Sequence, residues 1–331
     1  MNRPKPVRAA IVGLGRWGQN LVAASAESDL NFVQGVTRTP SKVTEFATQN
    51  GFPVSDDYDA MLADPGIEAV VLATPHSQHC AQICKAAEAG KHVFVEKPLA
   101  LSLVEAQKAV RSCNAHEVTL AVGFNRRFLP AYSGLCEAYQ ANKLGKALHI
   151  EANFSGPFGY DYSADMWRGS LDENPAGGMA AMGIHMLDAM IHLLGPVRRV
   201  ATLSCRRAVE APIDDTTHVQ LEFVSGATGS LTTLMATQTN WRLQLFGASG
   251  WAAMKDQQSL EISQIDQDPV VAPFEAVDTL AAELSAFAGC VRGDGSFPVT
   301  HHEALHGVAA MQAISRSAAS GGERVNVEPF A

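Results

Sequence analysis

The chain has 331 residues, of which 47% are hydrophobic and 18% are charged, so it can bury a sizeable core and should divide into two domains. Its formal net charge of −9, with no run of basic residues, argues against nucleic-acid binding, because neutralising phosphates needs a basic surface. No apolar stretch approaches the roughly 20 residues of a membrane span, and the amino terminus leads into a strand rather than a signal peptide. We therefore expect a cytoplasmic protein without a membrane partner.

The first part of the chain alternates short apolar runs with helical stretches. Strands are predicted near 7–12, 32–37, 69–73, 92–95 and 118–122, with helices between them. This alternation is typical of βαβ units, and it predicts an α/β domain over residues 1–124, built on a doubly wound parallel sheet with helices on both faces.

The second part, residues 125–331, has a different texture. Strands are predicted near 147–154, 197–207, 215–224, 227–238 and 241–248, and helices over 178–194, 278–291 and 301–317. Turn residues between most of the strands favour a large, mostly antiparallel open sheet in an α+β domain. We expect the C-terminal helices to be able to pack back on the first domain.

A GxGxxG pattern, Gly13, Gly15 and Gly18, lies between the first predicted strand and the first predicted helix. One glycine permits the tight turn, one lets backbone N–H groups approach a diphosphate, and one lets the helix pack closely on the strand. In this context the pattern predicts a dinucleotide site that includes Arg16 and Trp17, with a purely structural turn as the alternative.

The choice of cofactor depends on the end of the second predicted strand. An NAD site usually offers an acidic residue there to the ribose hydroxyls, whereas an arginine accommodates a 2′-phosphate. This chain has Thr37 in place of the acid, followed by Arg38 and Thr39, which supply a cation and a hydroxyl. The sequence therefore favours NADP, with NAD possible, and Arg38 stacked on the adenine is the alternative role.

Further cofactor residues are expected where later strands end. The candidates are Thr74, Pro75, His76, His79, Glu96, Lys97, Pro98 and Asn125. In an open doubly wound sheet, ligands bind outside the carboxyl ends of the strands, which is where these residues fall. For Thr74 and Ser77, helix capping is an equally simple interpretation.

Lys97 is the candidate for polarising a substrate oxygen. It ends the apolar run 92–95, its ammonium is a compact point charge, and Pro98 restricts the backbone that aims it. Oxidising a carbinol needs a group that steadies a developing alkoxide, and a lysine suits this task. The plain alternative is a solvated lysine at the end of a strand.

Several motifs in order along the chain resemble the Gfo/Idh/MocA oxidoreductases. They are the glycine pattern, Ala73-Thr74-Pro75-His76-Ser77-Gln78-His79, Glu96-Lys97-Pro98, Gly123-Phe124-Asn125-Arg126-Arg127-Phe128, and Gly177-Gly178 with Gly183-Ile184-His185-Met186-Leu187-Asp188. The resemblance covers essentially the whole chain. It implies a Rossmann domain, an open-sheet C-terminal domain that often mediates dimer or tetramer formation, and reversible oxidation of a secondary alcohol on a sugar, cyclitol or related diol. It also implies a catalytic role for Lys97 and, frequently, a cis bond before the proline.

His185 is the candidate base, because imidazole titrates near working pH and can accept the alcohol proton. It matches the family's histidine, although a lone histidine on an apolar helix is more often a hydrogen-bonded core residue. Asp188, three residues on, either orients the ring or ties the helix to its neighbours, and we favour the second role. The enzyme interpretation requires Lys97 and His185 to act in a common pocket.

One position departs from the family pattern. Most members carry an aspartate four residues before the histidine, and this chain has Ala181 there. Three consequences are open: Lys97 with His185 suffices, an acid such as Asp161 or Asp165 substitutes, or catalysis is impaired. We favour the first, because a lysine and a histidine already supply charge stabilisation and a proton acceptor.

Aromatic and basic residues are the candidates for the substrate wall. Arg126, Tyr160, Trp167 and Arg168 join Lys97 and His185 as predicted substrate-binding residues. Aromatic faces suit the apolar side of a sugar or cyclic diol, and an arginine can hold a hydroxyl or carboxylate, but such a cluster can also be core packing. Asn125 is expected to approach the nicotinamide.

No metal site is predicted. Six cysteines occur without a CxxC pair. Cys80 and Cys84 share a helical face, where a metal or redox pair is the alternative, and we favour small apolar side chains that pack the helix on the sheet. His301, His302 and His306 are interpreted as a solvated helix start rather than as ligands.

Taken together, the sequence predicts an NAD(P)-dependent dehydrogenase or reductase acting on a polyol, sugar or dihydrodiol. The rival interpretation is a non-catalytic dinucleotide-binding regulator of the same fold, which Ala181 favours and the presence of Lys97 and His185 disfavours.

Overall fold

The computed structural model describes residues 5–330, which form two compact units. The first contains residues up to 125 together with 278–301, and the second contains 126–277 with the residues from 302 onwards. The helices are α1 (Arg16–Ser25), α2 (Thr44–Gln49), α3 (Tyr58–Leu62), α4 (His79–Glu88), α5 (Leu103–Ala115), α6 (Pro130–Gln140), α7 (Ile184–Leu194), α8 (Thr279–Arg292) and α9 (His301–Ala319). The strands are β1 (Val7–Val12), β2 (Leu30–Val36), β3 (Val54–Ser55), β4 (Ala69–Leu72), β5 (His92–Glu96), β6 (Leu120–Gly123), β7 (Ala147–Ser155), β8 (Val197–Cys205), β9 (Thr216–Phe223), β10 (Thr228–Leu234), β11 (Asn240–Gly247), β12 (Gly250–Met254), β13 (Ser259–Gln264), β14 (Val270–Pro273) and β15 (Val325–Asn326).

The first unit is a parallel six-stranded sheet in the order β3-β2-β1-β4-β5-β6. Every residue of the central strand β4 is buried, as expected of a strand covered by helices on both faces, and so is every residue of β6 at the end of the sheet. The doubly wound prediction is confirmed. The order reverses between β1 and β4, which is where sheets of this kind bind their ligands.

The core of the first unit recruits a helix from late in the sequence. Phe287 of α8 is fully buried, with its ring centroid 5.7 Å from that of Phe94 on β5. The side chain of Asp278 begins this helix by accepting the backbone N–H groups of Leu280 and Ala281. Burying one phenylalanine side chain stabilises the folded unit by about 2 kcal/mol.

The second unit is built on a nine-stranded sheet in the order β14-β13-β12-β11-β7-β10-β9-β8-β15. Its pairs are antiparallel except for β7 with β10. Burial alternates along β9 and β11, so one face is packed and the other, here called the outer face, carries partly exposed polar side chains. The predicted mostly antiparallel sheet is therefore confirmed.

Several elements differ from the sequence-based expectation. β3 has only two residues, and β12, β13 and β14 follow the last strand that the pattern predicts. β12 and β14 lack a clear alternation of apolar residues, and β13 alternates but contains only two apolar residues, Leu260 and Ile262. The helix predicted from residue 178 begins as a π-helical turn, Met179–Gly183, and becomes an α-helix only at Ile184. Turns of this kind occur frequently at functional sites.

Three buried cysteines pack between α4 and α5. Cys80 donates its thiol to the carbonyl oxygen of Glu105 at 3.3 Å, and burial raises the pKa of Cys80 to about 11 and that of Cys113 to about 12. High thiol pKa values make these groups poor nucleophiles. Cys80 and Cys84 are buried free thiols, as expected, but the hydrogen-bond partner of Cys80 lies on α5 rather than on the sheet.

His306 is buried, which corrects the expectation of a solvated helix start. It lies on the packed side of α9, 7% exposed, and its Nε2 accepts the backbone N–H of Val197 at 2.8 Å. Burial, assisted by the neighbouring His302, lowers the pKa of His306 to about 4. The imidazole is therefore neutral in the folded protein at pH 7.

This buried imidazole predicts a loss of stability in mild acid. The pKa of His306 is about 4 in the folded chain and 6.5 as the ordinary value, so the unfolded chain binds the proton first as pH falls. The free energy of unfolding therefore falls as the pH decreases from 6.5 towards 4, and His306 accounts for a loss of about 3 kcal/mol. Urea unfolding at several pH values measures the free energy of unfolding. This free energy should fall less steeply with decreasing pH in His306→Gln than in the wild type, because the glutamine amide oxygen can accept the Val197 N–H without titrating. Identical pH slopes for the two proteins would contradict the assignment.

Among residues 5–330, no helix combines the length and apolarity needed to cross a membrane.

Candidate functional site

The turn from β1 into α1 is shaped by its glycines. Gly13 has a φ of +93° and donates its N–H to Val36 O at 2.8 Å. A Cβ on Gly13 would lie 2.6 Å from Ala73 O, and one on Gly18 would lie 1.9 Å from Gly13 O. Neither position tolerates a side chain, so the chain must turn tightly beside the end of β4.

Gly15 serves a different purpose. It is the N-cap of α1 without a side-chain cap, and a Cβ there would meet no atom within 4 Å. No contact among residues 5–330 requires glycine at this position, whereas the close approach of a ligand to the backbone would require it. The open helix N-terminus fits a dinucleotide diphosphate, because its backbone N–H groups and dipole favour anions. Arg16 is exposed beside it, and the side chain of Trp17 packs against the core of the unit.

The end of β2 carries the residues that the sequence assigns to cofactor choice. Thr37 donates its backbone N–H to Ser55 O at 2.9 Å, which fixes the strand end. Arg38 and Thr39 follow with exposed side chains. Both are therefore available to a ligand that lies across the carboxyl ends of the strands.

A side-chain hydrogen bond joins the end of β4 to α4. Thr74 donates its hydroxyl to Gln82 Oε1 at 2.6 Å, and neither α4 nor the short turn His76–Gln78 before it has a side-chain cap. The N-cap positions of this turn and of α4 are Pro75 and Gln78.

His79 connects two of the loops. Its ring is completely buried, with Nδ1 2.8 Å from Pro98 O and Nε2 3.1 Å from Thr74 O, so it bridges the segments that follow β4 and β5. The ring of His76 lies edge-on to it at 5.8 Å. This differs from the expectation that His79 lines the cofactor path: with both ring nitrogens facing backbone carbonyl oxygens, it positions the loops instead.

The end of β5 presents the lysine. Glu96 is buried, Lys97 is half-buried, and the Lys97–Pro98 peptide bond is cis, as the resemblance implied. Gly123 on the neighbouring β6 leaves room for the buried Glu96 side chain, since a Cβ at position 123 would lie 3.2 Å from Glu96 Oε1. Asn125, just beyond β6, is buried and donates its amide to Thr279 Oγ1 at 3.1 Å.

All the predicted cofactor residues thus fall at one edge of the first unit, after β1, β2, β4, β5 and β6. The shared edge follows from parallel pairing, because the carboxyl ends of parallel strands meet on the same side of a sheet. Thr279 and Gln82 are the supporting residues that the sequence did not reveal, since neither lies in a recognisable motif.

In the second unit, an aromatic ring connects two candidate residues. His185 lies in the first turn of α7 and is 6% exposed. The centroid of the Phe154 ring is 6.2 Å from that of His185 and 5.8 Å from the guanidinium carbon of Arg126. Arg126 also donates to Gln257 Oε1 at 3.0 Å. Phe154 therefore brings Arg126 and His185 into one cluster, which the sequence pattern did not predict.

Ala181 lies in the π-helical turn and packs against an apolar cluster. The buried members of this cluster are Met182, Val209, Ala211, Ile213 and Met235. Asp161 and Asp165, the acids offered as substitutes for the family aspartate, are both exposed, and Asp165 accepts the hydroxyl of Ser163 at 2.5 Å.

The loop after β7 carries the remaining substrate candidates. The guanidinium of Arg168 stacks on the Trp167 ring at 4.1 Å, and Asn174 fixes this turn by donating to the carbonyl oxygens of both residues. Tyr160 is 62% exposed and donates its hydroxyl to Ala236 O at 3.3 Å. Trp167 and Arg168 are thus locally ordered, whereas the ring of Tyr160 stands largely in solvent.

Asp215 organises the loop between β8 and β9, a role that the sequence did not signal. One carboxylate oxygen accepts the backbone N–H groups of Arg207, Ala208 and Val209 at 2.6–2.9 Å. These bonds, although opposed by burial, lower the pKa of Asp215. The loop carries Val209 into the apolar cluster beside Ala181.

Asp188 is bound by an arginine. Arg127 Nε lies 2.6 Å from Asp188 Oδ2 and Nη2 lies 2.9 Å from Oδ1, with both side chains almost completely buried. Arg127 also reaches Glu303 at 3.2 Å. Burial by itself lowers the pKa of Arg127, but the two carboxylates outweigh it and raise the pKa. The expectation that Asp188 ties its helix to a neighbour is confirmed.

Comparison with known proteins agrees with these features. A family model described as an oxidoreductase family with an NAD-binding Rossmann fold matches residues 7–124, and a GFO/IDH/MocA C-terminal domain model matches residues 132–253. The chain belongs to the Gfo/Idh/MocA oxidoreductase family. It is accordingly an NAD(P)-dependent dehydrogenase or reductase, which disfavours the regulator interpretation.

Two relatives illustrate the range of this family. The chain is 39% identical to scyllo-inositol 2-dehydrogenase (NAD(+)) of Bacillus subtilis over 150 residues, 44% of this chain and 43% of that enzyme. It is 28% identical to D-xylose 1-dehydrogenase (NADP(+)) 2 of Haloferax volcanii over 92% of this chain and 94% of that enzyme. The two names differ in the cofactor, so the comparison supports a nicotinamide cofactor without selecting NAD or NADP.

A solved structure shares the architecture of both units. A protein described as an NADPH-dependent oxidoreductase from Desulfitobacterium hafniense superposes with a TM-score of 0.90 at 26% identity, covering 97% of this chain and 98% of that one. The fold assigned from the sequence is confirmed over nearly the full length.

Proposed function

We propose that this enzyme catalyses reversible oxidation of a secondary alcohol on a sugar, cyclitol or related cyclic diol. The observation that carries the proposal is the half-buried Lys97 after β5, on the same sheet edge as the open helix N-terminus at Gly15. A cation at that edge suits a substrate oxygen beside a dinucleotide. The inositol and xylose substrates in the names of the relatives support the substrate class.

The chemistry divides between two residues. When bound, the nicotinamide supplies the hydride acceptor, or the donor in the reverse direction. The Lys97 ammonium holds the substrate hydroxyl oxygen and stabilises the negative charge that develops on it. A ring nitrogen of His185 takes the hydroxyl proton and returns it in the reverse direction. Carbon thus loses a hydride, oxygen loses a proton, and a ketone results.

This assignment needs no carboxylate at position 181. Lys97 supplies the charge and His185 the proton acceptor, so alanine in the π-helical turn is compatible with turnover. The solvent exposure of Asp161 and Asp165 favours this two-residue interpretation over a substitute acid.

The substrate contacts that we propose are made by Arg126 and by the ordered Trp167–Arg168 pair. The Trp167 face suits the apolar side of a ring, and each guanidinium can donate to hydroxyl oxygens. The exposure of Tyr160 makes it the least constrained of the four candidates. Asn125 is proposed to act on the cofactor side, held by Thr279.

NADP is the proposed cofactor. Position 37 is a threonine rather than an acid, and the exposed Arg38 and Thr39 supply a cation and a hydroxyl for a 2′-phosphate. In fluorescence titrations, Arg38→Ala should weaken NADPH binding about tenfold or more and leave NADH binding nearly unchanged. Arg111→Ala, on an exposed face of α5, is the matched control. Equal losses for NADPH and NADH would instead favour stacking of Arg38 on the adenine.

The function itself is tested by screening for turnover. Purified protein is incubated with NADP or NAD and a panel of sugars, inositols and cyclic diols, and reduced cofactor is followed by its absorbance. We expect turnover with a vicinal diol on a ring and none with primary alcohols. Oxidation of primary alcohols alone would overturn the substrate class, and binding of cofactor without turnover of any candidate would revive the regulator.

We further propose that the enzyme is a homodimer or homotetramer that assembles through the outer face of the nine-stranded sheet. This face exposes Leu203, which is 65% accessible and pairs with His218, among its polar side chains. Sedimentation velocity should give a mass of two or four chains, and a purely monomeric mass at micromolar concentration would reject assembly.

A further inference from the structure

A group of partly buried apolar side chains lies beside the π-helical turn that precedes α7. The group, here called the apolar surface, consists of Phe154, Phe158, Tyr162, Ala181 and Ala236. These side chains pack on the buried apolar cluster beside Ala181, and all of them belong to the second unit. The dehydrogenase chemistry proposed above uses none of them.

The apolar surface lies on the packed side of the nine-stranded sheet, opposite the outer face. A Cβ on Gly229 of β10 would lie 3.1 Å from Met190 Cε on α7, so Gly229 and every second residue after it on β10 face that helix. Phe154 is on the same side, because Thr232 pairs with Asn153 and the next residues along the two parallel strands are Thr233 and Phe154. Assembly through the outer face would therefore not cover the apolar surface.

Backbone hydrogen bonds hold three segments together at Met235, just after β10. Its N–H donates to Asp215 O at 2.8 Å, and its carbonyl oxygen accepts the N–H of Gly159 at 2.8 Å. A Cβ on Gly159 would lie 2.7 Å from Val209 Cγ1, so the loop after β7 packs directly on the loop that Asp215 organises. The loops that carry the apolar surface are therefore fixed by the fold.

Two glycines bring the π-helical turn close to β10. A Cβ on Gly178 would lie 3.0 Å from Met235 Cγ, and one on Gly183 would lie 2.9 Å from Thr233 Cγ2. Larger residues at these positions would push the turn away from the strand. This close approach holds Ala181 against the apolar cluster, about one helical turn before His185.

Phe154 connects the apolar surface to the proposed proton acceptor. Its ring packs on the apolar cluster, and its centroid lies 6.2 Å from that of the His185 ring. Apart from the hydroxyl of Tyr162, the five side chains of the apolar surface carry no polar atom. A molecule bound at His185 therefore has hydrocarbon, and not hydrogen-bonding groups, along this border.

We propose that the apolar surface receives a hydrocarbon part of the substrate, with Ala181 as the specificity-determining residue. The inference rests on the proposed oxidation of a ring alcohol at His185 and narrows its substrate class. A cyclic diol whose other ring carbons lack hydroxyl groups is preferred to an inositol or a sugar. Apolar contact removes hydrocarbon from water, whereas a hydroxyl placed there loses its hydrogen bonds to water without replacement. An aspartate at position 181 would instead accept such hydroxyl groups.

A matched pair of ring compounds tests this preference. Neighbouring hydroxyl groups of scyllo-inositol are all trans, so trans-1,2-cyclohexanediol keeps the reacting diol and lacks the remaining hydroxyl groups. With NADP, we expect kcat/KM to be at least about tenfold higher for the cyclohexanediol, since an apolar site discriminates against an added hydroxyl by up to about a hundredfold. Equal values, or a preference for scyllo-inositol, would overturn the inference and leave the dehydrogenase function intact.

Calorimetry measures the same preference without turnover. Each compound is titrated into the protein saturated with NADPH, and we expect the cyclohexanediol to bind more tightly. Tighter binding of the cyclohexanediol with turnover of neither compound would support the apolar surface and count against the proposed function. Binding of neither compound, or tighter binding of scyllo-inositol, would reject the apolar surface as a substrate contact.

Variants assign the preference to position 181. Ala181→Asp should lower the ratio of the two kcat/KM values, or of the two affinities, about tenfold or more, because its carboxylate accepts hydroxyl groups and disfavours hydrocarbon. Ala60→Asp, at an exposed position in the first turn of α3, is the matched control and should keep the wild-type ratio. An unchanged ratio in folded Ala181→Asp would remove the role of Ala181.

A milder variant decides the test if Ala181→Asp fails to fold. Ala236→Ser adds only a hydroxyl at a partly buried position of the apolar surface and should lower the same ratio about threefold. The wild-type ratio in Ala236→Ser would then reject the contact between the apolar surface and the substrate.

Discussion

Replacing Lys97 by methionine is expected to lower kcat by about a thousandfold while leaving NADPH binding within a fewfold of the wild type. Methionine keeps most of the length and apolar volume of lysine but removes the charge that steadies the developing alkoxide. Lys97 is proposed to act on the substrate oxygen and not on the diphosphate. We therefore expect the substitution to slow the chemical step and not to weaken cofactor binding. Steady-state kinetics with the best substrate from the panel, together with NADPH fluorescence titration, measure the two quantities separately.

Two further variants make this test specific. Lys97→Arg should not restore turnover, because the broad planar guanidinium cannot reproduce a compact ammonium in a confined site. Lys85→Met is the matched control, since Lys85 pairs with Asp59 on the surface, 55% exposed, and should keep full activity. Turnover that survives Lys97→Met unchanged would remove the proposed mechanism.

Removal of Arg127 is expected to destabilise the protein by about 3–5 kcal/mol, because Asp188 would be left as an uncompensated buried charge. The bidentate pair joins the turn after Asn125 to α7, and both partners are almost inaccessible to water. Urea unfolding of Arg127→Met measures the loss. At elevated temperature the activity of Arg127→Met should fall together with its stability, since α7 carries His185.

The cause of this loss can be separated from simple deletion of contacts. The double variant Arg127→Met with Asp188→Leu removes both charges and should recover much of the stability, because replacing a buried ion pair by apolar groups of similar size is often close to neutral. Arg316→Met breaks a surface pair with Glu328 and should cost less than about 1 kcal/mol. A double variant as unstable as Arg127→Met alone would contradict the electrostatic explanation.

The sequence predicted the first unit well because its signals are local. The glycine with a φ of +93° between a strand and a helix belongs to a pattern that can be recognised in the sequence. The lysine that follows a buried strand can be recognised in the same way. Parallel pairing then brings such residues to one edge of the sheet, because the carboxyl ends of parallel strands all lie on the same side.

The sequence predicted less where function depends on partners far apart in the chain. The bridge that His79 makes to Pro98, the three backbone bonds of Asp215 and the packing of Phe154 against His185 and Arg126 follow no spacing rule. The burial of His306 was also missed, because a cluster of histidines at a helix start has the composition of a solvated surface. In each case the deciding contact joins residues that only the folded chain brings together.

By itself, the sequence determined the class of protein, the glycine turn and the lysine at a strand end, because backbone conformation and apolar periodicity are properties of short segments. Only the tertiary structure decided which polar side chains support the loops, which arginine holds Asp188, and that the loops after β7 and β8 meet at Met235 beside Ala181. Long-range pairing sets these contacts, and the free energy that selects them comes from burial and charge compensation across the whole unit.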